Sequence, residues 1–235
     1  MDINADIGEG YDDAGLMPYL TRASIACGGH TGDARSMDAA LTLAAEYGVA
    51  VGAHPSYPDR EGFGRHEWAA TPEQIAQWVT QQIDALAEIA ANKGMQLAHV
   101  KPHGALYNAA AQHEAIATAV AQAVVEWDAN LILLGLSGSR LIEAGRTAGL
   151  IVMQEVFADR RYQADGQLVS RETPGALITD SEIAAEQAYA LAQGQPIVAL
   201  DGSSLLLAAD TLCLHSDTPG AIGIARAVSQ ALNRG

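Results

Sequence analysis

The chain reads as one parallel α/β domain, a deformed β/α barrel of seven or eight mostly parallel strands. Three observations predict this. Apolar strand-like runs alternate with capped, amphipathic stretches along the whole chain. The run Asn130 to Leu136 is almost wholly apolar, as expected of a parallel strand buried on both faces. Nearly every strand also ends in an acid or a histidine: Asp6, His30, His54, His103, Glu155 and His215. A doubly wound sheet gathers its functional residues at one switch point. A barrel instead opens all its strand tips onto one face, and the spread of these residues favours that. No linker or shift in composition divides residues 1–235.

The first strand is Asp2-Ile3-Asn4-Ala5-Asp6-Ile7. Alternation puts Asp2, Asn4 and Asp6 on one face and Ile3, Ala5 and Ile7 on the other. The apolar face suits helices, and the polar face suits an interior only if its groups are paired. Asp6 lies nearest the following loop. Ser24 to Cys27 is strand two. Gly28 and Gly29 then deliver His30 where backbone can approach a ligand. Cys27 reads as a small buried hydrophobe rather than a nucleophile. A helix opens at Thr31-Gly32-Asp33 and runs to Tyr47, where Gly48 closes it.

Val49 to Ala53 is strand three, delivering His54 to a loop dense in Pro, Gly and charge that carries Arg60 and Arg65. His66, just beyond, reads as a solvated loop residue. Thr71-Pro72-Glu73 starts a helix with a cap, a proline and an acid. Its stripe of Ile75, Trp78, Val79, Ile83, Leu86, Ile89 and Ala90 faces a core. Strand four leads through Gln96-Leu97-Ala98 into His99-Val100-Lys101-Pro102-His103-Gly104. Period-two alternation would put His99, Lys101 and His103 on one face. Lys101 is one of two lysines, so a cation flanked by two imidazoles reads as a site rather than a side chain in water.

A helix follows from about Glu114 to Trp127, after helical character beginning near Ala109. Strand five and a short helix, Ser139 to Ala148, come next. Ile151 to Phe157 is strand six and delivers Asp159, Arg160, Arg161 and Tyr162. A hairpin is expected around Asp165-Gly166, then a loop with Arg171. Asp180-Ser181 caps a helix to Gln193. Pro196 to Asp201 and Thr211 to His215 are the candidate closing strands, and Pro219 starts a last helix through Leu232.

Hydrophobic residues make up 49% of the chain and charged ones 17%, which is a folded globular composition. The net charge of −15 repels phosphate backbones, so nucleic acid and anionic membrane are not expected as partners. No run is long enough to span a membrane, and no secretory pattern opens the chain. The expected setting is cytoplasmic, with Cys27 and Cys213 reduced.

Seven segments in register resemble the LamB/YcsF family: Asn4 to Glu9, Ile25 to Asp33, Val51 to Asp59, His99 to Asn108, Glu155 to Tyr162, Leu168 to Arg171, and Cys213 to Pro219. The chain departs from the family pattern at Gly29-His30, at His215-Ser216-Asp217 and at Gly10-Tyr11-Asp12-Asp13. The resemblance implies a barrel akin to the sugar and polysaccharide deacetylases. It implies the role of the A component in an ATP-hydrolysing 5-oxoprolinase. That enzyme opens 5-oxo-L-proline to L-glutamate, coupled to hydrolysis of ATP to ADP and phosphate, together with subunits B and C.

A five-membered lactam is an unreactive amide, and ATP coupling makes sense if phosphate is placed on the amide oxygen. Such a site needs cations for the substrate carboxylate and phosphoryl oxygens, with Lys101, Arg65, Arg161 and Arg171 as candidates. It needs a base to activate water, with Asp6, His103 and Glu155 as candidates. His30 and His54 are expected to touch substrate. Arg60 and Arg160 read as surface charges. No Gly-x-x-x-x-Gly-Lys-Ser/Thr stretch exists, so ATP would use a non-Walker site here or bind one of the partner subunits. The alternative reading is a divalent-metal-dependent, deacetylase-like amidohydrolase, with Asp6, His30 and His54 as ligands.

Overall fold

The computed structural model describes residues 1–233. Seven parallel strands close a barrel in the order β1 (Asp2–Ile7), β2 (Arg22–Ala26), β3 (Ala50–His54), β4 (His99–Val100), β5 (Ile132–Leu136), β6 (Ile151–Phe157) and β9 (Thr211–Leu214). β9 pairs with both β6 and β1, joining the two ends of the chain. The remaining strands, β7 (Ile197–Val198) and β8 (Ser204–Leu205), form a separate antiparallel pair. The segment expected to supply a closing strand at Pro196 to Asp201 therefore lies outside the barrel. Val198 and Leu200 are exposed there, so the run lacks the two covered faces that a parallel strand requires.

Helices α2 (Ala34–Tyr47), α3 (Pro72–Asn92), α4 (Gly104–Gln112), α5 (Glu114–Trp127), α6 (Arg140–Thr147), α7 (Ser181–Ala192) and α8 (Ala221–Leu232) surround the strands. A single turn, α1 (Asp13–Leu16), follows β1. Local chemistry sets the helix starts. Asp33 and Ser36 form a reciprocal capping box on α2, and Thr71 and Gln74 form one on α3. Asp180 accepts from the amides of Glu182 and Ile183 at the start of α7. On α3, Ile75, Val79, Ile83, Leu86 and Ala90 are buried, the stripe its period predicts. α4 begins at Gly104, five residues earlier than the helical character expected near Ala109. Strand four is correspondingly short and ends at Val100. The hairpin at Asp165-Gly166 consists of a single bridge between Tyr162 and Leu168. No helix among the described residues is long and apolar enough to cross a membrane.

Outward-facing residues of the strands, such as Ile3, Ala5, Ile7 and Val156, pack into the helix layer. The inward face is polar and paired. Asn4 Nδ2 donates to Thr211 Oγ1 at 2.9 Å, and Thr211 Oγ1 donates to Asp2 Oδ1 at 2.7 Å. His99 Nε2 lies 3.1 Å from Ser24 Oγ. A polar barrel axis is tolerable because most of its groups have partners, His99 Nδ1 and Glu155 Oε1 being exceptions, and it aims chemistry at the strand tips.

Candidate active site

The strand tips surround a hollow of about 420 Å³. Asp6, Glu9, His54, His103 and His215 form its floor and wall, and Arg65, Arg160 and Arg171 line it from the loops after β3 and β6. Gly64 lets the β3 loop press against the floor. Its φ is +67°, and a Cβ there would lie 2.8 Å from both His103 Cδ2 and His30 Cβ. Phe63, just before it, holds a left-handed φ of 55°. That strained turn aims the Phe63 carbonyl at His103 Nε2, 3.0 Å away.

Lys101 lies at the floor of the hollow, 2% exposed. Its Nζ is 2.8 Å from Asp6 Oδ1, 2.8 Å from Glu155 Oε1 and 3.1 Å from Asn4 Oδ1. Cys213 Sγ is a further neighbour at 3.2 Å. The three hydrogens of the ammonium go to Asp6 Oδ1, Asn4 Oδ1 and Cys213 Sγ, while Glu155 Oε1 is an ion-pair neighbour only. Burial alone would favour loss of its proton, but Asp6, Cys213 and Glu155 hold Lys101 charged, well above its ordinary value. In the same way burial would raise Asp6, yet His54 and Lys101 keep its carboxyl well below the usual range. Glu155 also accepts from Tyr107 Oη at 2.7 Å and does not reach the hollow. Lys101 therefore lines the hollow while pairing with Asp6, and Glu155 stands behind it, outside the lining. Of the expected cation and base, Lys101 is thus at the hollow, whereas Glu155 is held by Tyr107 Oη away from it.

Beside Asp6 sits a cluster of Glu9, His30, His54 and His103, whose ligand-capable atoms all lie within 4.8 Å of one another. The rings of His30 and His103 stack at 3.7 Å between centroids. Burial, with His54 nearby, lowers His30 to about 3, and burial with His30 and His54 lowers His103 well below its ordinary value. Both rings are therefore neutral. Burial and the Asp6 charge raise Glu9 to about 7. Of the residues the alternative reading names as ligands, His30 and His54 fall in this cluster, whereas Asp6 pairs with Lys101 and groups with Cys213 and His215. His103, expected as a candidate base, has Nε2 3.0 Å from the Phe63 carbonyl oxygen and Nδ1 2.9 Å from His54 Nε2.

Across the hollow, Asp159 Oδ1 lies 2.9 Å from His215 Nδ1, and Thr218 donates to the other oxygen of the same carboxylate. Burial would raise Asp159, but the charge of His215 and these hydrogen bonds hold it below its usual value. This carboxylate orients the ring through Nδ1, and in the neutral imidazole that places the hydrogen on Nδ1 and leaves Nε2 as the acceptor. At the mouth, Arg65 and Arg171 share one oxygen of Asp217, at 2.6 and 2.8 Å. Arg171 is therefore at the hollow, as expected, but Arg161 is not among its lining residues. Arg160 takes that place. It is buried, donates to the Val169 carbonyl at 2.7 Å, and is lowered to about 10 by burial and by Arg171. Alternation explains the exchange. Tyr162 is fully buried, so Arg160 points inward with it and Arg161 points the other way.

Sequence reasoning put His215 at a strand tip without giving it a role, and missed Glu9, Arg160, Asp159 and Asp217 as residues of the site. Glu9 carried a signal, since it stands between Gly8 and Gly10 directly after a strand. Asp217 carried none, because its partners come from distant loops. His66 is exposed as expected, and Cys27 and Cys213 are buried free thiols.

Residues 1–235 match the model of the LamB/YcsF family. The chain is 49% identical over 238 residues to the A subunit of 5-oxoprolinase from Chloroflexus aggregans, covering 99% of this chain and 94% of that one. It is 47% identical over 240 residues to the A subunit of 5-oxoprolinase from Bordetella pertussis, covering 100% and 95%. A crystal structure of the lactam utilization protein from Thermus thermophilus superposes with a TM-score of 0.93. That protein is 43% identical, with 100% of this chain and 96% of the other covered.

Proposed function

The chain belongs to the LamB/YcsF family, and from that premise we propose that it is the A component of an ATP-dependent 5-oxoprolinase, working with subunits B and C. The reaction takes 5-oxo-L-proline, ATP and two waters to L-glutamate, ADP and phosphate. The observation that carries this reading is the hollow itself, with arginines at its mouth and a carboxylate and an oriented histidine at its floor.

The substrate carboxylate, or the phosphoryl oxygens, would meet Arg171, Arg65 and Arg160, a planar-donor set suited to such anions. An incoming anion would compete with Asp217 for the first two. Phosphate placed on the lactam oxygen turns that oxygen into a leaving group. His215 Nε2, with its ring held by Asp159, is the base that takes a proton from the attacking water. Asp6, kept ionised by Lys101 and His54, stabilises positive charge developing on neighbouring imidazoles. Nucleotide binding measured on the isolated chain and on each partner locates the ATP site.

The main test is reconstitution. The purified chain is combined with its partner subunits, ATP and 5-oxoproline, and glutamate and ADP are measured together. Supporting results are glutamate release that requires this chain and a Km for 5-oxoproline raised by Arg171→Ala. Glutamate release unchanged when the chain is omitted would overturn the proposal. A second reading, a metal-dependent amidohydrolase needing no ATP, is favoured by the Glu9 and histidine cluster. Ring opening by this chain alone with zinc or manganese and no nucleotide would select it.

A further inference from the structure

The ATP-dependent reaction makes no use of the wall of the hollow where two histidines face each other. His54 Nδ1 lies 2.7 Å from the Lys101 carbonyl oxygen, and His103 Nε2 lies 3.0 Å from that of Phe63. A carbonyl oxygen only accepts, so both of these nitrogens carry a hydrogen. In neutral rings His54 Nε2 and His103 Nδ1 are then bare lone pairs, and they are 2.9 Å apart. Two lone pairs at that distance repel unless something positive lies between or beside them.

Glu9 Oε1 converges on the same point. It is 2.8 Å from His30 Nε2, 3.3 Å from His103 Nδ1 and 3.8 Å from His54 Nε2. Four ligands held about 2.0–2.1 Å from a central ion define a tetrahedron with edges near 3.4 Å. The observed separations bracket that value. Three imidazole nitrogens and one carboxylate oxygen form a donor set suited to borderline divalent cations. The carbonyls behind His54 and His103 are the kind of outer partners that fix a ligand's tautomer and ring orientation.

We propose that Glu9, His30, His54 and His103 form a binding site for one divalent transition-metal cation, of the class of zinc, cobalt or manganese. The inference rests on the geometry and needs neither catalytic reading to hold. To bind through Nε2, His30 shifts its hydrogen to Nδ1, which is buried and has no partner among the described residues. Any proton held between His54 and His103 leaves to solvent, so uptake releases protons. Three of the four groups, Glu9, His54 and His103, also line the hollow, so the cation would form part of its wall.

The test reads metal directly. The whole chain is stripped with a chelator and titrated with Co²⁺ and, separately, Zn²⁺, following the visible Co²⁺ spectrum and the heat of binding. One ion per chain is expected, with the strong visible bands of four-coordinate Co²⁺. Glu9→Gln and His103→Gln should each weaken binding by more than the roughly 10–100-fold typical of outer-partner changes. The exposed His66→Gln variant should bind like the wild type. Should His103→Gln fail to fold by circular dichroism, the near-isosteric Glu9→Gln carries the comparison. Absence of stoichiometric binding by the folded wild type would overturn the inference and leave a shared proton as the occupant. Binding unchanged in the Glu9 and His103 variants would equally overturn it, by assigning the ion to surface histidines.

Discussion

Replacing Lys101 with methionine tests the organisation of the barrel interior. The substitution keeps the volume and removes the charge. It leaves Asp6, 6% exposed, and Glu155, fully buried, with no cation at 2.8 Å. Breaking a buried pair while leaving the opposite charge in place costs roughly 3–5 kcal/mol. In a domain of this size each kcal/mol is worth about 2–4 °C in Tm, so a fall of roughly 6–20 °C is expected. The loss depends on pH with a definite sign. In the wild type the raised Lys101 contributes stability that is present at neutral pH and lost only at strongly alkaline pH. In the variant, burial is left to raise Asp6 against the lowering of His54 and His215 alone. The deficit is then largest at neutral pH and shrinks as the pH falls through the titration range of that carboxyl. Thermal unfolding of both proteins between about pH 4 and 8 measures this, and adding Glu155→Gln to the variant should recover part of the loss. A Tm within about 2 °C of wild type at every pH, or a deficit that grows on acidification, would refute the idea that Lys101 neutralises the barrel floor.

Asp159→Asn is expected to lower kcat of the reconstituted reaction by roughly 10²-fold or more while leaving Km nearly unchanged, with an altered pH profile, since Asp159 positions His215 without touching substrate; an equal change in Km would argue against that role. Because Asp159 is held below its ordinary value, its stabilisation is present above about pH 4 and lost below, so the Tm gap between wild type and variant should close on acidification. Asp217→Asn should cost less than about 1 kcal/mol, because Arg65 is 46% exposed and its pair is screened; an effect above about 2 kcal/mol in urea unfolding would contradict a loose clasp at the mouth. Gly64→Ala forces a side chain into a left-handed φ against His30 and His103, and roughly 1–3 kcal/mol of destabilisation is expected by the same measurement.

Much of this protein is written in short-range pattern. Alternation in β1 separates Asp6 from Ile7, the stripe on α3 announces its buried face, and caps such as Asp33 and Thr71 mark helix starts within a residue. Those features depend on backbone period and on atoms a few residues apart. The barrel class follows too, because acids and histidines recur at successive strand tips. What lay beyond the sequence involves partners far apart in the chain. Lys101 meets Cys213 across 112 positions, and Arg65 meets Asp217 across 152. Only closure of the sheet decided that the Lys101 hydrogens go to Asn4, Asp6 and Cys213, and that Glu9 rather than Asp6 joins the histidines. Only the packing of Tyr162 turned Arg160 inward, and only the exposure at Val198 kept an eighth strand out of the barrel. Local sequence sets which way a side chain faces within its element. Which group stands opposite is settled by how the elements close on one another, since that alone fixes distances between residues the chain keeps apart.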